Sequence, residues 1–519
     1  MFIFEKVRNI KMKIWEKKLL YTMVIIGCIV VLAFCISGKL VEGARWSSGL
    51  PLGGVDNWLY ENGSMYAVAE GDITPSSPYF PGLVLLSLVF RVIFGYGAET
   101  AIIITGGIVA VFTFWGFSII ASDDKKKRFW LAIIAALFFI IGFPSARKYL
   151  LEMHPDIPAL MFFLWGIISL NKFLERRNKI YYCIATLLFW FAGLFKQNAV
   201  FLYLGLAVFV LLSKKLKLKE KIGVIVSEFI AGIATLIVVV LIDGCWYNCV
   251  TVNSLNPLLS IKEYLHYGFS ACRNNKLFIV IALTYLVLLI TRNIVQKRVI
   301  EQMWFAASVG WLAFCMYGAA KIGSNEGNTE ATIIAVMPFV LISIDKLFTY
   351  IKEIIDINKL KADLAAVKAK KFIRMLVIAI FSVVYLAGIL ILVYKMDGRI
   401  KRYNERIELQ NEFSEWLSDN YKGKNIAYDT ITYELFNNAA INKTTDFFTA
   451  SEWSMGNIID DEDLYNISID EEWDVIVAWP GLDDTKWPKT FSEFEKIDSS
   501  LYPDLSSYYG SPVEVYVRK

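Results

Sequence analysis

Asp56 lies in the run Gly53-Gly54-Val55-Asp56-Asn57-Trp58-Leu59-Tyr60. A carboxylate in such a setting can act as general base toward an acceptor hydroxyl or amine, or ligate a hard cation on a phosphate. Gly53-Gly54 would let the backbone bend close to a ligand, and Trp58 and Tyr60 could stack on a sugar face. Aspartate is equally favoured as a helix N-cap, so catalysis and capping both stand here, as they do for Asp72 in Glu70-Gly71-Asp72. A second set is Met153-His154-Pro155-Asp156. Asp156 precedes an apolar run by one residue, so it either caps a helix or faces Asp56 across a cavity as a second carboxylate. His154, one of two histidines, reads as a hydrogen-bonding residue or a ligand. Lys196, in Gly193-Leu194-Phe195-Lys196-Gln197-Asn198, either snorkels or meets a phosphate as a point charge. The polar loop Lys321 to Glu330, with Asn325 and Glu330, could hold the headgroup of a carrier lipid.

The elements that must position these residues are apolar. The 519 residues are 56% hydrophobic and 15% aromatic. The excess sits in runs long enough to cross ~30 Å of hydrocarbon. The first, Leu19 to Ser37, follows Lys6, Arg8, Lys11, Lys13, Lys17 and Lys18 and has no clear small-residue cleavage site, so it reads as an uncleaved first helix. Further runs begin near 99, 129, 157, 180, 199, 222, 277, 303, 332 and 373. Basic clusters, among them Lys125 to Arg128, Arg176-Arg177 and Lys214 to Lys221, alternate with them. All fall on one side if Pro81 to Phe94, short and containing Arg91, lies in the interface rather than crossing. The expectation is about eleven spans, with a cytoplasmic N-terminus and an extracytoplasmic C-terminus. The polar residues named above then gather in outer loops. Charged groups at membrane depth pair or line a cavity, so their convergence on one face predicts a site there.

Cytosolic chemistry is poorly represented. No Walker loop, dinucleotide fingerprint or zinc-spaced Cys/His set occurs. An outer-face site has no access to ATP or nucleotide sugars, so group transfer there needs a membrane-borne donor. Of the seven cysteines only Cys245 and Cys249 lie close together on an outer loop, where a disulfide could form.

From Asp397 onward 25 acidic residues face 12 basic ones, net −13, leaving +17 for the rest of a chain of net charge +4. That division suits cytoplasmic loops facing anionic lipid and gives no sign of a nucleic-acid partner. Arg402 to Leu417 has helical spacing. Asn425 to Asp429, Trp473 to Trp479 and Val513 to Val517 read as strands, with a helix at Tyr433 to Asn438. The expected layout is a membrane domain over 1–396 and a small extracytoplasmic α/β domain over 397–519.

The order of Asp56 and Tyr60, Glu70 to Pro75, Tyr79-Phe80-Pro81-Gly82 to Gly95, His154-Pro155-Asp156, Gly193 to Lys196, and Gly323-Ser324-Asn325 with Asn328-Thr329-Glu330 resembles the GT-C membrane glycosyltransferases. The likeness is to their aminoarabinose-transferase and protein O-mannosyltransferase branch, over the whole membrane part and the plan of the tail. It implies a polytopic all-α GT-C membrane fold, a polyprenyl-phosphate sugar donor, an outward cavity and often a divalent cation, Mg or Mn, with Asp56 and Asp156 as its ligands. It implies Asp56 as catalytic carboxylate, Asp156 as second acid and Lys196 as contact to the donor phosphate. Trp58, Tyr60, His154, Asn325 and Glu330 are the remaining candidate substrate contacts. Asn57 departs from relatives that often carry a second acid there. The expected function is sugar transfer to an acceptor on the outer face by inverting single displacement. The rivals are a lipid-linked sugar flippase and an inactive GT-C-like assembly subunit.

Overall fold

The computed structural model describes residues 22–23, 25–41, 45–60, 63–68, 74, 77–142, 151, 153–252, 260–263, 266, 298–318, 335, 337–346, 365–428, 444–446, 460–478, 487–506 and 513–519. The chain forms two compact units, 1–41 with 348–405 and 42–347 with 406–519.

In the first unit α1 (Ile25–Val41) is joined to α11 (Ala365–Tyr421), which continues past the unit boundary. Arg399 donates from Nη1 to the Phe34 carbonyl at 2.6 Å, and its guanidinium lies 3.7 Å from the Phe34 ring centroid. The expected domain boundary at 396/397 falls inside α11.

The second unit holds α2 (Arg45–Tyr60), α3 (Gly82–Phe94), α4 (Ala98–Ala121), α5 (Lys125–Gly142), α6 (Asp156–Arg176), α7 (Lys179–Phe195), α8 (Ala199–Leu212), α9 (Leu218–Leu241) and α10 (Val299–Gly318). Helices α4, α6 and α9 are long and apolar enough to cross a membrane. On α9 the amphipathicity is inverted: Ile222, Phe229, Ile233, Leu236, Ile237 and Val240 are exposed while Ser227, Glu228 and Thr235 are buried. A face of large aliphatic side chains turned outward is stable only against lipid.

The basic loops meet at one end of the bundle. Arg177 at the end of α6 pairs with Glu220 at the start of α9. Arg298 Nη1 lies 2.8 Å from Asp123 Oδ1, and Lys127 Nζ lies 2.9 Å from Asp345 Oδ1. The opposite ends of α6 and α7 carry Asp156 and Lys196. This is the separation that the alternation of basic clusters predicts.

Two expectations for 41–97 are corrected. The segment is not all loop, because α2 occupies Arg45–Tyr60. Gly53 and Gly54 do not bend the chain; they are buried inside α2. Their lack of a side chain serves helix packing, since α2 lies against α3 and Val55 joins Tyr66, Phe80 and Val84 in one apolar cluster. The interfacial run is helical, as expected: α3 has 13 residues, about 20 Å at 1.5 Å per residue, too short to cross.

Gly82 opens α3 under the end of α7. A Cβ there would lie 2.9 Å from the Leu194 carbonyl carbon and oxygen and from Phe195 Cα. Backbone cannot give way as a flexible side chain can. Gly82→Ala is expected to cost about 1–3 kcal/mol, read as a lower thermal midpoint in detergent.

The tail carries a sheet that includes the strands expected at Asn425 to Asp429, Trp473 to Trp479 and Val513 to Val517; the helix expected at Tyr433 to Asn438 lies outside the described residues. Strands β1 (Ile426–Tyr428), β2 (Thr444–Asp446), β3 (Val475–Ala478), β4 (Phe494–Lys496) and β5 (Glu514–Arg518) form one sheet in the order β2-β1-β3-β5-β4. β1 pairs in parallel with β2 and β3, whereas β5 is antiparallel to β3 and β4. The short strands β2 and β4 were not foreseen; at three residues each they carry too little alternation to read. One face packs on α11 through Phe413 and Leu417. The other packs on α12 (Asp461–Asp470) and α13 (Pro488–Ser492) through Leu464, Phe491, Trp473 and Trp487, together with Ala67 and Tyr247.

Candidate active site

Asp56 is the twelfth residue of α2, inside the helix rather than at its start, since α2 begins at Arg45. The capping reading therefore falls. Its carboxylate is taken by Arg91 of α3: Nε donates to Oδ1 at 2.7 Å, and Nη2 donates to Oδ2. Arg91 Nη1 also donates to the Gly95 carbonyl at 3.2 Å, at the end of α3. The pair is largely sheltered, with side-chain exposures of 7% for Arg91 and 15% for Asp56. Burial pushes the Asp56 carboxyl above its ordinary range, and Arg91 pulls the other way. A carboxylate offers about four lone-pair sites, so a two-point guanidinium clamp orients it and still leaves acceptor capacity. Trp58 and Tyr60 follow on the same helix and are open, 47% and 69% exposed. Asn57 is structural: Nδ2 donates to the Ser64 carbonyl at 2.8 Å and ties the end of α2 to the loop beyond it.

Asp156 is the first residue of α6, and its side chain caps no backbone group there. Lys196 Nζ donates to Oδ2 at 2.5 Å, and His154 Nδ1 lies 2.7 Å from the same oxygen. The Lys196 and Asp156 side chains are 4% and 2% exposed. Lys196 therefore does not snorkel; its ammonium is anchored inward. The Tyr79 ring lies 4.5 Å from Lys196 Nζ, a cation–π distance, and its hydroxyl is 3.4 Å from His154 Nε2. Asp156 Oδ1 is buried with no hydrogen-bond partner. A buried acceptor left open costs about 1–3 kcal/mol, which suits a position awaiting a donor group. Met153, just before His154, holds a left-handed φ of 56°, uncommon for a residue with a side chain.

Three segments support this cluster. Gln197 Nε2 donates to the Pro78 carbonyl at 3.0 Å, and the Tyr66 hydroxyl donates to the Tyr79 carbonyl at 3.0 Å. Of the residues chosen from sequence, Asp156, Lys196 and His154 are in direct contact, whereas Asp56 belongs to a separate pair with Arg91. Asn325 and Glu330 lie outside the described residues, as does Asp72. Arg91 and Tyr79 were not chosen as site residues. Arg91 carries a sequence signal, a cation inside an apolar run.

Among the described residues no three His, Cys, Asp or Glu side chains gather as ligands, and Asp56 and Asp156 each face a cationic side chain.

Compared with solved structures, the chain is similar to crystal structures of ArnT from Cupriavidus metallidurans. One, bound to undecaprenyl phosphate, gives a TM-score of 0.54 at 12% identity over 96% of this chain and 98% of that one. The other, in the apo state, gives 0.53 at 11% identity over the same shares, 96% and 98%. The chain has the ArnT fold. No family model matches the sequence and no curated protein matches it. The likeness is one of fold, and the apolar helices fit a multi-pass membrane protein.

Proposed function

We propose that the chain is a membrane glycosyltransferase that moves a sugar from a polyprenyl-phosphate donor to an acceptor on the outer face. The observation that carries this reading is the sheltered Asp56–Arg91 clamp beside the open Trp58 and Tyr60, within a fold shared end to end with a protein crystallised on undecaprenyl phosphate. The basic end of the bundle faces the cytoplasm. In this reading the N-terminus lies inside and the sites, with the α/β tail, outside.

In this reading an acceptor hydroxyl or amine attacks the anomeric carbon while the bond to the phosphate oxygen breaks, with inversion. Asp56 takes the acceptor proton through a lone pair not used by Arg91. Negative charge grows on the departing polyprenyl phosphate. Lys196, held by Asp156 and the Tyr79 ring, supplies a fixed positive charge that needs no reorganisation at that moment. Asp156 Oδ1 accepts from a donor hydroxyl. Trp58 and Tyr60 offer stacking faces for the acceptor.

Purified protein given a panel of synthetic polyprenyl-phosphate sugars is expected to release polyprenyl phosphate with one donor in the presence of acceptor. A panel that yields neither release nor donor binding would sink this reading. Donor binding with vectorial movement in vesicles, and no release, would favour the flippase.

A further inference from the structure

The thiols of Cys245 and Cys249 take no part in the chemistry above, yet they sit one residue from it. Both are buried, 0% and 2% exposed: Cys245 in the turn that follows α9, Cys249 inside the π-helical segment Tyr247–Val252. The two side chains share one buried cluster with Tyr66 and Phe80. Cys249 Sγ also reaches the Tyr79 carbonyl at 2.9 Å and the Ser77 carbonyl at 3.6 Å. The Tyr66 hydroxyl meets that same Tyr79 carbonyl. Gly244, at φ 72°, lets the turn approach: a Cβ there would lie 2.5 Å from the Ala67 carbonyl oxygen. Residues four apart on a helical turn have Cα atoms about 6 Å apart, inside the span that a disulfide bridges.

We infer that Cys245 and Cys249 are a covalent modification site, closed as an intrachain disulfide that braces the segment carrying Tyr79. The inference rests on the outward placement of this end of the bundle, where disulfides persist. The oxidant is the disulfide of a thiol–disulfide oxidoreductase. One cysteine thiolate attacks a sulfur of that disulfide and forms a mixed disulfide. The second thiolate then displaces the oxidoreductase, which leaves as a dithiol, and the chain has lost two hydrogens. Burial in the folded protein pushes the Cys249 thiol well up and makes it inert, so closure precedes the docking of the 242–252 turn against Ala67 and Tyr79. Once closed, the bridge replaces the thiol contact to the Tyr79 carbonyl, and the Tyr66 hydroxyl stays on it.

The sequence from Ile222 to Lys262 contains both cysteines and no Lys or Arg before its last residue, so trypsin releases the pair on one peptide. The full chain, fused at its C-terminus to alkaline phosphatase, is made in a bacterium with an oxidising periplasm, denatured in N-ethylmaleimide and mapped by mass. The expected peptide is about 2 Da lighter than the dithiol, unlabelled until reduced, in cells where the fusion is active. Wild-type protein then loses thermal midpoint on adding dithiothreitol, whereas the Cys245→Ser/Cys249→Ser variant does not respond. Two maleimide labels before reduction, with an active fusion, overturn the bridge and leave the orientation intact. An inactive fusion overturns the orientation and the bridge with it. Neither readout uses sugar transfer, so the glycosyltransferase reading can fail separately.

Discussion

Asp56→Asn is expected to lower kcat for sugar transfer by roughly 10²- to 10⁴-fold, the usual worth of a positioned general base, with donor binding retained. The amide keeps the shape and, through its one oxygen, one of the two contacts to Arg91, but cannot take a proton. The pH profile adds a check that a merely structural role would not move. The working form of the base is the carboxylate, so activity rises with pH through the carboxyl's own pKa. Burial raises that value, so the acid limb of kcat/KM is expected above the ordinary aspartate range of about 4. Arg91→Ala removes the group that opposes this rise and should move the limb further up; Arg91→Lys should bring it part-way back. An unchanged limb in both variants would mean that another group sets the profile. Wild-type rates in Asp56→Asn would remove Asp56 from the chemistry altogether.

Lys196→Met is expected to destabilise the protein by about 3–5 kcal/mol, the cost of leaving one member of a buried ion pair uncompensated. With Lys196 and Asp156 side chains 4% and 2% exposed, water cannot take over the missing partner. Lys196→Met/Asp156→Leu should recover most of that loss, because it removes both charges together. Thermal inactivation in detergent, compared across the two single variants and the double, gives the coupling. If Lys196 is also the contact for the departing phosphate, the double variant regains stability and still fails to bind donor. A double variant that regains both would reduce the pair to a structural role.

The sequence announced the membrane class, the interfacial helix and the α/β tail because each is a local pattern: apolar length, a short run bracketed by Pro81 and Gly95, strand alternation. It also picked out Asp56, Asp156, His154 and Lys196 by type and position. Their partnerships were hidden, since Lys196 meets Asp156 across 40 residues and Arg91 meets Asp56 across 35. One-dimensional spacing carries no record of such pairing. Lys196 and Asp156 were therefore given separate tasks, and Asp56 was set opposite Asp156 although its contact is Arg91. Helix α2 was missed for a related reason. Pro51, Gly53 and Gly54 oppose a helix by propensity, and burial against α3 overrides them.

Ala67, fully buried with Ala427, Trp473 and Trp487, has a consequence for anyone recombining such proteins. The tail appears in the linear sequence as a detachable module after the last apolar run. Its hydrophobic centre is completed by residues contributed from the loop that follows Asp56 and by Tyr247. A chimera that exchanges only the C-terminal segment would inherit a socket cut for a different plug. A workable graft must transplant 63–68 and 244–252 along with the tail, so the unit of exchange is discontinuous in sequence.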